Sequence, residues 1–149
     1  MTWRALYLAA ASPYADEVIR TWQGGGLAEI PAGVLWDVVR LLPEDGRRVH
    51  DALKAEGRQP GPIMITGVTA WEFLVPRGTA ATWDVPHTTA LGPGKMLLAP
   101  HPDAQDLEGV LRRRWLTWPD PVNTLTNPRL LAAVARTAAW QSPAAGSTS

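Results

Sequence analysis

Hydrophobic and polar positions recur with different periods along this chain, and the changes of period divide it into elements. Val34-Leu35-Trp36-Asp37-Val38-Val39-Arg40-Leu41 is apolar almost throughout, the pattern of a strand covered on both faces. After it, Val49, Ala52 and Leu53 share one side of a helix opened by Pro43-Glu44-Asp45, with Gly57 where a C-terminal cap belongs. Pro62 to Thr66 and Ala70 to Val75 read as two strands of a hairpin around Gly67. Lys95 to Ala99 and Arg113 to Thr117 read as two further strands, parted by the polar loop Pro100 to Gly109. The last element is a helix begun at Asn127-Pro128, with Leu130, Leu131, Val134 and Ala138 as its apolar stripe.

Ser12-Pro13 followed by Asp16 and Glu17 predicts an earlier helix. It has a hydroxyl cap, a proline in the first turn and carboxylates near the positive end of the dipole. Gly24-Gly25-Gly26 should end it, and Leu27 to Ile30 is a short strand. Pro76 to Pro93 is the longest irregular stretch, with one helical turn at Thr79 to Trp83; binding residues concentrate in such segments. The small, polar tail 142–149 predicts disorder. These elements add up to a single α+β (mixed α/β) domain over residues 1–141, with a central, mostly antiparallel sheet flanked by about three helices.

Composition narrows the partners and the setting. The 149 residues, 46% of them hydrophobic, are enough to build one core. Fourteen basic and fourteen acidic side chains balance, so attraction to a polyanion has to come from a local patch. The lack of cysteine excludes disulfides, thiolate zinc sites, iron–sulfur clusters and cysteine nucleophiles, and favours a cytoplasmic setting. Met1 to Ala11 is mildly apolar but interrupted by Arg4 and Tyr7, which argues against a signal-peptide core. No run approaches the ~18 apolar residues of a membrane span. Eight tryptophans against one phenylalanine and two tyrosines suit either a small core or a binding surface.

Asp37 is the one carboxylate within the strongest strand. Buried there, it needs a metal, a proton or a hydrogen-bonding loop. A two-metal site would want a second carboxylate at i+2, on the same strand face, and that position is Val39. His50, His87 and His101 lack the spacing of a zinc motif, and His87, beside Thr88 and Thr89, is the best placed to meet a ligand. His101-Pro102-Asp103 matches the J-domain signature by letters only. Arg112, Arg113 and Arg114, followed by Trp115 and Trp118, join charge to flat aromatic faces, a combination that holds single-stranded nucleic acid. Strand alternation, however, sends Arg113 to the face opposite Arg112 and Arg114, and three arginines in a row also occur on ordinary solvated strands. Gly92-Pro93-Gly94-Lys95 lacks the spacing of a phosphate loop and reads as a tight turn. No serine sits in a nucleophile elbow.

Several of these segments together resemble a known family. They are the strand Val34 to Val39, the helix from Pro43, Gly61-Pro62, Trp71-Glu72-Phe73-Leu74-Val75-Pro76-Arg77-Gly78-Thr79-Ala80, and Leu91-Gly92-Pro93-Gly94-Lys95-Met96-Leu97-Leu98-Ala99-Pro100. The chain is similar in them to small actinobacterial proteins labelled bifunctional DNA primase/polymerase. Those in turn are similar to the N-terminal Prim-Pol domain of the archaeo-eukaryotic primase superfamily. The resemblance runs from Ala15 to Leu131. It implies a Prim-Pol-like fold whose metal-binding Asp-x-Asp strand falls on Asp37-Val38-Val39, keeping the first carboxylate and replacing the second with valine. The family's nucleotide-contacting histidine falls near Ala70, and its late aspartate falls between His87 and Ala90, where there is no acid; Asp84 lies nearby.

Magnesium supplies most of the electrostatic stabilisation in such polymerases, so the loss of two carboxylates implies a degenerate site. No residue is then assigned a catalytic role; the candidates are Asp37, Asp84, His87 and Lys95. No metal site and no cofactor are expected, with magnesium needed only for a residual activity. The leading expectation is a non-catalytic primase/polymerase-like domain that binds single-stranded nucleic acid or a protein partner, away from membranes. The alternatives are a small-molecule binder or enzyme reusing the nucleotide cleft through Asp37, His87 and Lys95, and a protein-interaction module built on exposed tryptophans.

Overall fold

The computed structural model of the chain describes residues 2–58, 60–103, 113–119 and 125–140, with the side chains of 138–140 excepted. The tail 142–149, Arg112 and most of the loop between Pro100 and Arg113 lie outside the described residues. The elements, in chain order, are α1 (Trp3–Ala9), α2 (Ala15–Gln23), β1 (Ala28–Pro31), β2 (Trp36–Leu41), α3 (Pro43–Ala55), β3 (Ile63–Thr66) and β4 (Ala70–Pro76). A 3₁₀ turn (Thr79–Thr82), β5 (Thr88–Leu91), β6 (Met96–Ala99), β7 (Arg113–Thr117) and α4 (Pro128–Trp140) complete them. The fold is mixed α+β, and all its strand pairs are antiparallel.

Five strands form the central sheet in the order β5-β2-β4-β3-β7, and β1 and β6 make a separate pair. The nearly continuous apolar run of β2 has its cause in this arrangement, because the central sheet is covered on both sides. On one side Val38, Leu74, Met64, Leu91 and Trp115 pack with α1, α2 and the β1–β6 pair, through Leu8, Val18, Trp22, Ile30 and Leu97. On the other side Val39, Leu41, Ile63, Phe73 and Val75 pack against Val49 and Leu53 of α3 and Leu131 and Ala135 of α4. Side chains alternate across each strand, so one six-residue segment serves two cores.

The approach of α3 to the sheet depends on Gly46. A Cβ there would lie 2.5 Å from Cβ and 2.7 Å from Cγ of Trp71, closer than packed carbons approach. Gly57, expected as the cap of α3, has φ of 73°, the left-handed conformation that glycine adopts without strain.

Two local expectations are corrected, and one helix is added to those read from the sequence. The added helix is α1, Trp3–Ala9, capped by Thr2 Oγ1, which accepts from Ala5 N at 3.3 Å, with Ala5, Leu8 and Ala9 as its buried stripe. The hydroxyl of Ser12 caps the turn before α2 rather than α2 itself: it accepts from Tyr14 N at 3.0 Å, and the helix begins at Ala15. The stretch from Pro76 to Pro93 contains a strand, β5, paired to β2 from Leu41↔Thr88 to Val38↔Leu91. Its proline- and glycine-rich flanks concealed it.

Candidate functional site

Asp37 stands at the start of β2 and is fully buried. Its Oδ2 accepts from the backbone N–H of Gly78 at 3.1 Å and of Ala80 at 2.8 Å. Both amides belong to the start of the 3₁₀ turn, so one carboxylate oxygen ties that turn to the end of the sheet. The other oxygen, Oδ1, is buried without a hydrogen bond among the described residues. The end of β5 closes over this point: a Cβ on Gly92 would meet Ala80 Cβ at 2.9 Å and Asp37 Oδ2 at 3.7 Å. Asp37 is a strand-end aspartate bonded to a loop.

The remaining cleft candidates do not converge on it. Lys95 follows the Gly92 turn and is exposed; its carbonyl accepts from Ala32 N at 2.9 Å. His87 is exposed at the opposite end of β5, with φ of 64°. The four residues of β5, at roughly 3.3 Å each, separate the Lys95 turn from the His87 turn by the length of the strand. Asp84 is 80% exposed and ion-paired, its Oδ1 2.6 Å from Arg136 Nη2.

The arginine and tryptophan strand, β7, ends the described order of the central sheet, with Trp115 buried and its other four residues half-buried. Trp115 is 1% exposed and donates through Nε1 to the Pro100 carbonyl at 3.3 Å. Its ring is therefore closed to a stacking base. Arg113 Nη1 donates to Glu72 Oε1 at 3.2 Å and to Thr66 Oγ1 at 2.9 Å, on the face of the sheet that carries Trp115. Arg114 is half-buried opposite Ile65. Trp118 is half-buried with the Arg4 guanidinium 5.0 Å above its ring, a cation–π contact within the protein. Two histidines are also engaged internally. The rings of His50 and Trp71 meet edge-on at 6.1 Å, and those of His101 and Trp22 at 5.3 Å.

The turn that Asp37 holds forms one wall of a cleft of about 290 Å³. Thr79, Thr82, Trp83 and Asp84 face Arg129 and Arg136 of α4 across it. Trp83 is fixed by a bond from its Nε1 to Thr88 Oγ1 at 2.7 Å, and that hydroxyl donates to Val85 O at 2.8 Å. Arg129 makes no side-chain interaction among the described residues. Among the described residues Arg136 is held only by the exposed Asp84, a pair that contributes little and exchanges easily. Asn127 Oδ1 occupies the first amides of α4, accepting from Arg129 N at 2.9 Å and Leu130 N at 3.2 Å. The charge in this cleft therefore comes from side chains.

Sequence reasoning reached Asp84 but not the two arginines. Their spacing of seven places them on one helix face, and the Asn127-Pro128 cap fixes the phase, so that signal was present. Among the described residues no group of three or more His, Cys, Asp or Glu is placed to hold a metal ion. No helix among them is long and apolar enough to cross a membrane. Comparison of the chain with protein-family models, curated proteins and solved structures gives no match.

Proposed function

We propose that this chain is a non-catalytic primase/polymerase-like domain that binds single-stranded nucleic acid through the cleft between the 79–85 segment and α4. The observation that carries this reading is the juxtaposition of Arg129 and Arg136 with Trp83 in that cleft. Two guanidinium groups meet phosphates, and an indole held by its own N–H offers a face to a base. The burial of Asp37 supports the non-catalytic half, since its Oδ2 is committed to two backbone amides. It acts as a positioning residue for the turn, and the domain is cytoplasmic in this reading.

The test is a fluorescence-anisotropy titration of labelled single-stranded DNA and RNA at several salt concentrations. Wild-type protein should bind saturably at low salt. In R129A/R136A the slope of log K against log salt should fall by about 1.4, since each neutralised phosphate of a single strand contributes about 0.7. Asp84→Asn should tighten binding by releasing Arg136, which a purely structural role of the pair does not predict. A flat low-salt titration, or no change in R129A/R136A, would overturn the proposal.

A further inference from the structure

A second concave surface lies on the other side of the molecule, between α2 and β1. It is a groove of about 670 Å³ whose apolar lining includes Tyr14, Leu27, Val34 and Met96. Three of these are unusually open for their type: Tyr14 is 67% exposed, Met96 50% and Val34 42%. Tyrosine and methionine leave water favourably at binding surfaces, because each covers much area with few or adaptable torsions. The groove continues past the Tyr14 ring into a hollow of about 350 Å³ that also holds Asp16 and Arg20.

The charge of the main groove has one sign. Glu17 and Glu29 line it, and among the described residues no lysine or arginine does. Neither carboxylate makes a side-chain hydrogen bond or ion pair among the described residues. Arg77 donates to the carbonyl of Val34, at the groove's rim, at 3.4 Å and not to an acid. What sets these two carboxylates apart from other exposed acids is their place on an apolar floor beside a sheet edge.

The groove is bordered by a sheet edge. Among the described residues β1 has one neighbour, β6. Ala32 N–H donates to Lys95 O across that pair, and alternation then turns Ile30 and Ala28 toward β6, leaving the amide and carbonyl of Glu29 on the open side. An extended segment can add there while its side chains enter the groove. A second copy of β1 is a poor occupant: it would bring Glu29 near its own copy and meet Pro31, which lacks an N–H to donate.

We propose that this groove docks an extended peptide segment of a partner protein that carries both cationic and apolar side chains. The cations meet Glu17 and Glu29, and the apolar residues cover Tyr14, Val34 and Met96. Docking of such a segment does not depend on the nucleic-acid reading, which uses the opposite face of the central sheet.

The experiment titrates the full chain into three labelled eight-residue peptides. One alternates lysine with leucine, the second has glutamate in place of lysine, and the third has serine in place of leucine. The lysine–leucine peptide should bind saturably, and both counterparts should bind about tenfold more weakly, since each lacks one half of the recognition. E17Q/E29Q should weaken the lysine–leucine peptide about fivefold, the effect of two exposed charge pairs. Glu56→Gln, beyond the end of α3, should leave it unchanged. Thermal melts of each variant establish that the fold is kept. No saturable binding, equal binding of the glutamate peptide, or indifference to E17Q/E29Q would overturn the proposal. So would a concentration-dependent dimer in sedimentation that E17Q/E29Q tightens, because the occupant would then be a second copy.

Discussion

Replacing Glu72 by alanine should destabilise this fold more than almost any other single polar substitution. Its side chain is 1% exposed at the middle of β4. Oε1 accepts from Thr66 Oγ1 at 3.0 Å and from Arg113 Nη1 at 3.2 Å; Oε2 accepts from Arg40 Nη2 at 3.2 Å. The two arginines are not equivalent, since the Arg113 side chain is 14% exposed and that of Arg40 is 41%. Arg113 also has a buried Nε without a hydrogen bond. Without Glu72 its charge is left inside the protein, with the Thr66 hydroxyl as its remaining partner among the described residues. Breaking such a buried pair from one side costs about 3–5 kcal/mol, while the solvent-facing Arg40 arm adds at most about 1 kcal/mol. Against a typical domain stability of about 5–15 kcal/mol, that is a large share.

Urea unfolding separates these contributions, because a stability change moves the midpoint at constant slope. Arg40→Ala should cost about 1 kcal/mol or less. The double substitution Glu72→Met with Arg113→Met should fall within about 1 kcal/mol of wild type, as a buried pair exchanged for apolar side chains usually does. Met64 and Trp115 already line that side of the sheet. If Glu72→Ala cost less than about 1 kcal/mol, or if Arg40→Ala matched it, the stranded charge of Arg113 would not be the main source of the loss.

Two further outcomes follow from packing and titration. Gly46→Ala gains about 1 kcal/mol of helix propensity but forces a methyl against Cβ and Cγ of Trp71, at an overpacking cost of about 1–3 kcal/mol; urea unfolding should show a net loss, and a stabilised Gly46→Ala would refute the close approach. Burial raises the pKa of Tyr7 above the usual tyrosine value. Its stabilising contribution is therefore complete below about pH 10, the unfolded value, and is lost as pH rises through the higher folded value. Tyr7→Phe should flatten the alkaline arm of a Tm–pH profile, and an unchanged arm would show that Tyr7 does not titrate with unfolding.

What could be read from the sequence, and what could not, divides along a physical line. Burial leaves a local trace, because a covered strand must be apolar at consecutive positions and a half-covered helix must be apolar at every third or fourth. That is why β2, the β3–β4 hairpin, α3 and α4 were legible from Val34 to Leu41, around Gly67 and after Pro43 and Asn127. Pairing leaves no such trace. β7 lies beside β3 through Met64↔Trp115 and Thr66↔Arg113, and nothing in either segment names the other. The same holds for charge. Arg113 reads as surface charge because its counter-ion, Glu72, is 41 residues away, and the sequence leaves Asp37 open between a metal, a proton and a loop until the amides of Gly78 and Ala80 are found upon it. A charged residue in an apolar strand is a statement that a partner exists somewhere in the fold, and whether that partner is a loop, an arginine or a ligand is decided by topology. The unpaired carboxylates of Glu17 and Glu29 differ from Asp37 and Glu72 on this point, because the fold leaves them open to a partner from outside.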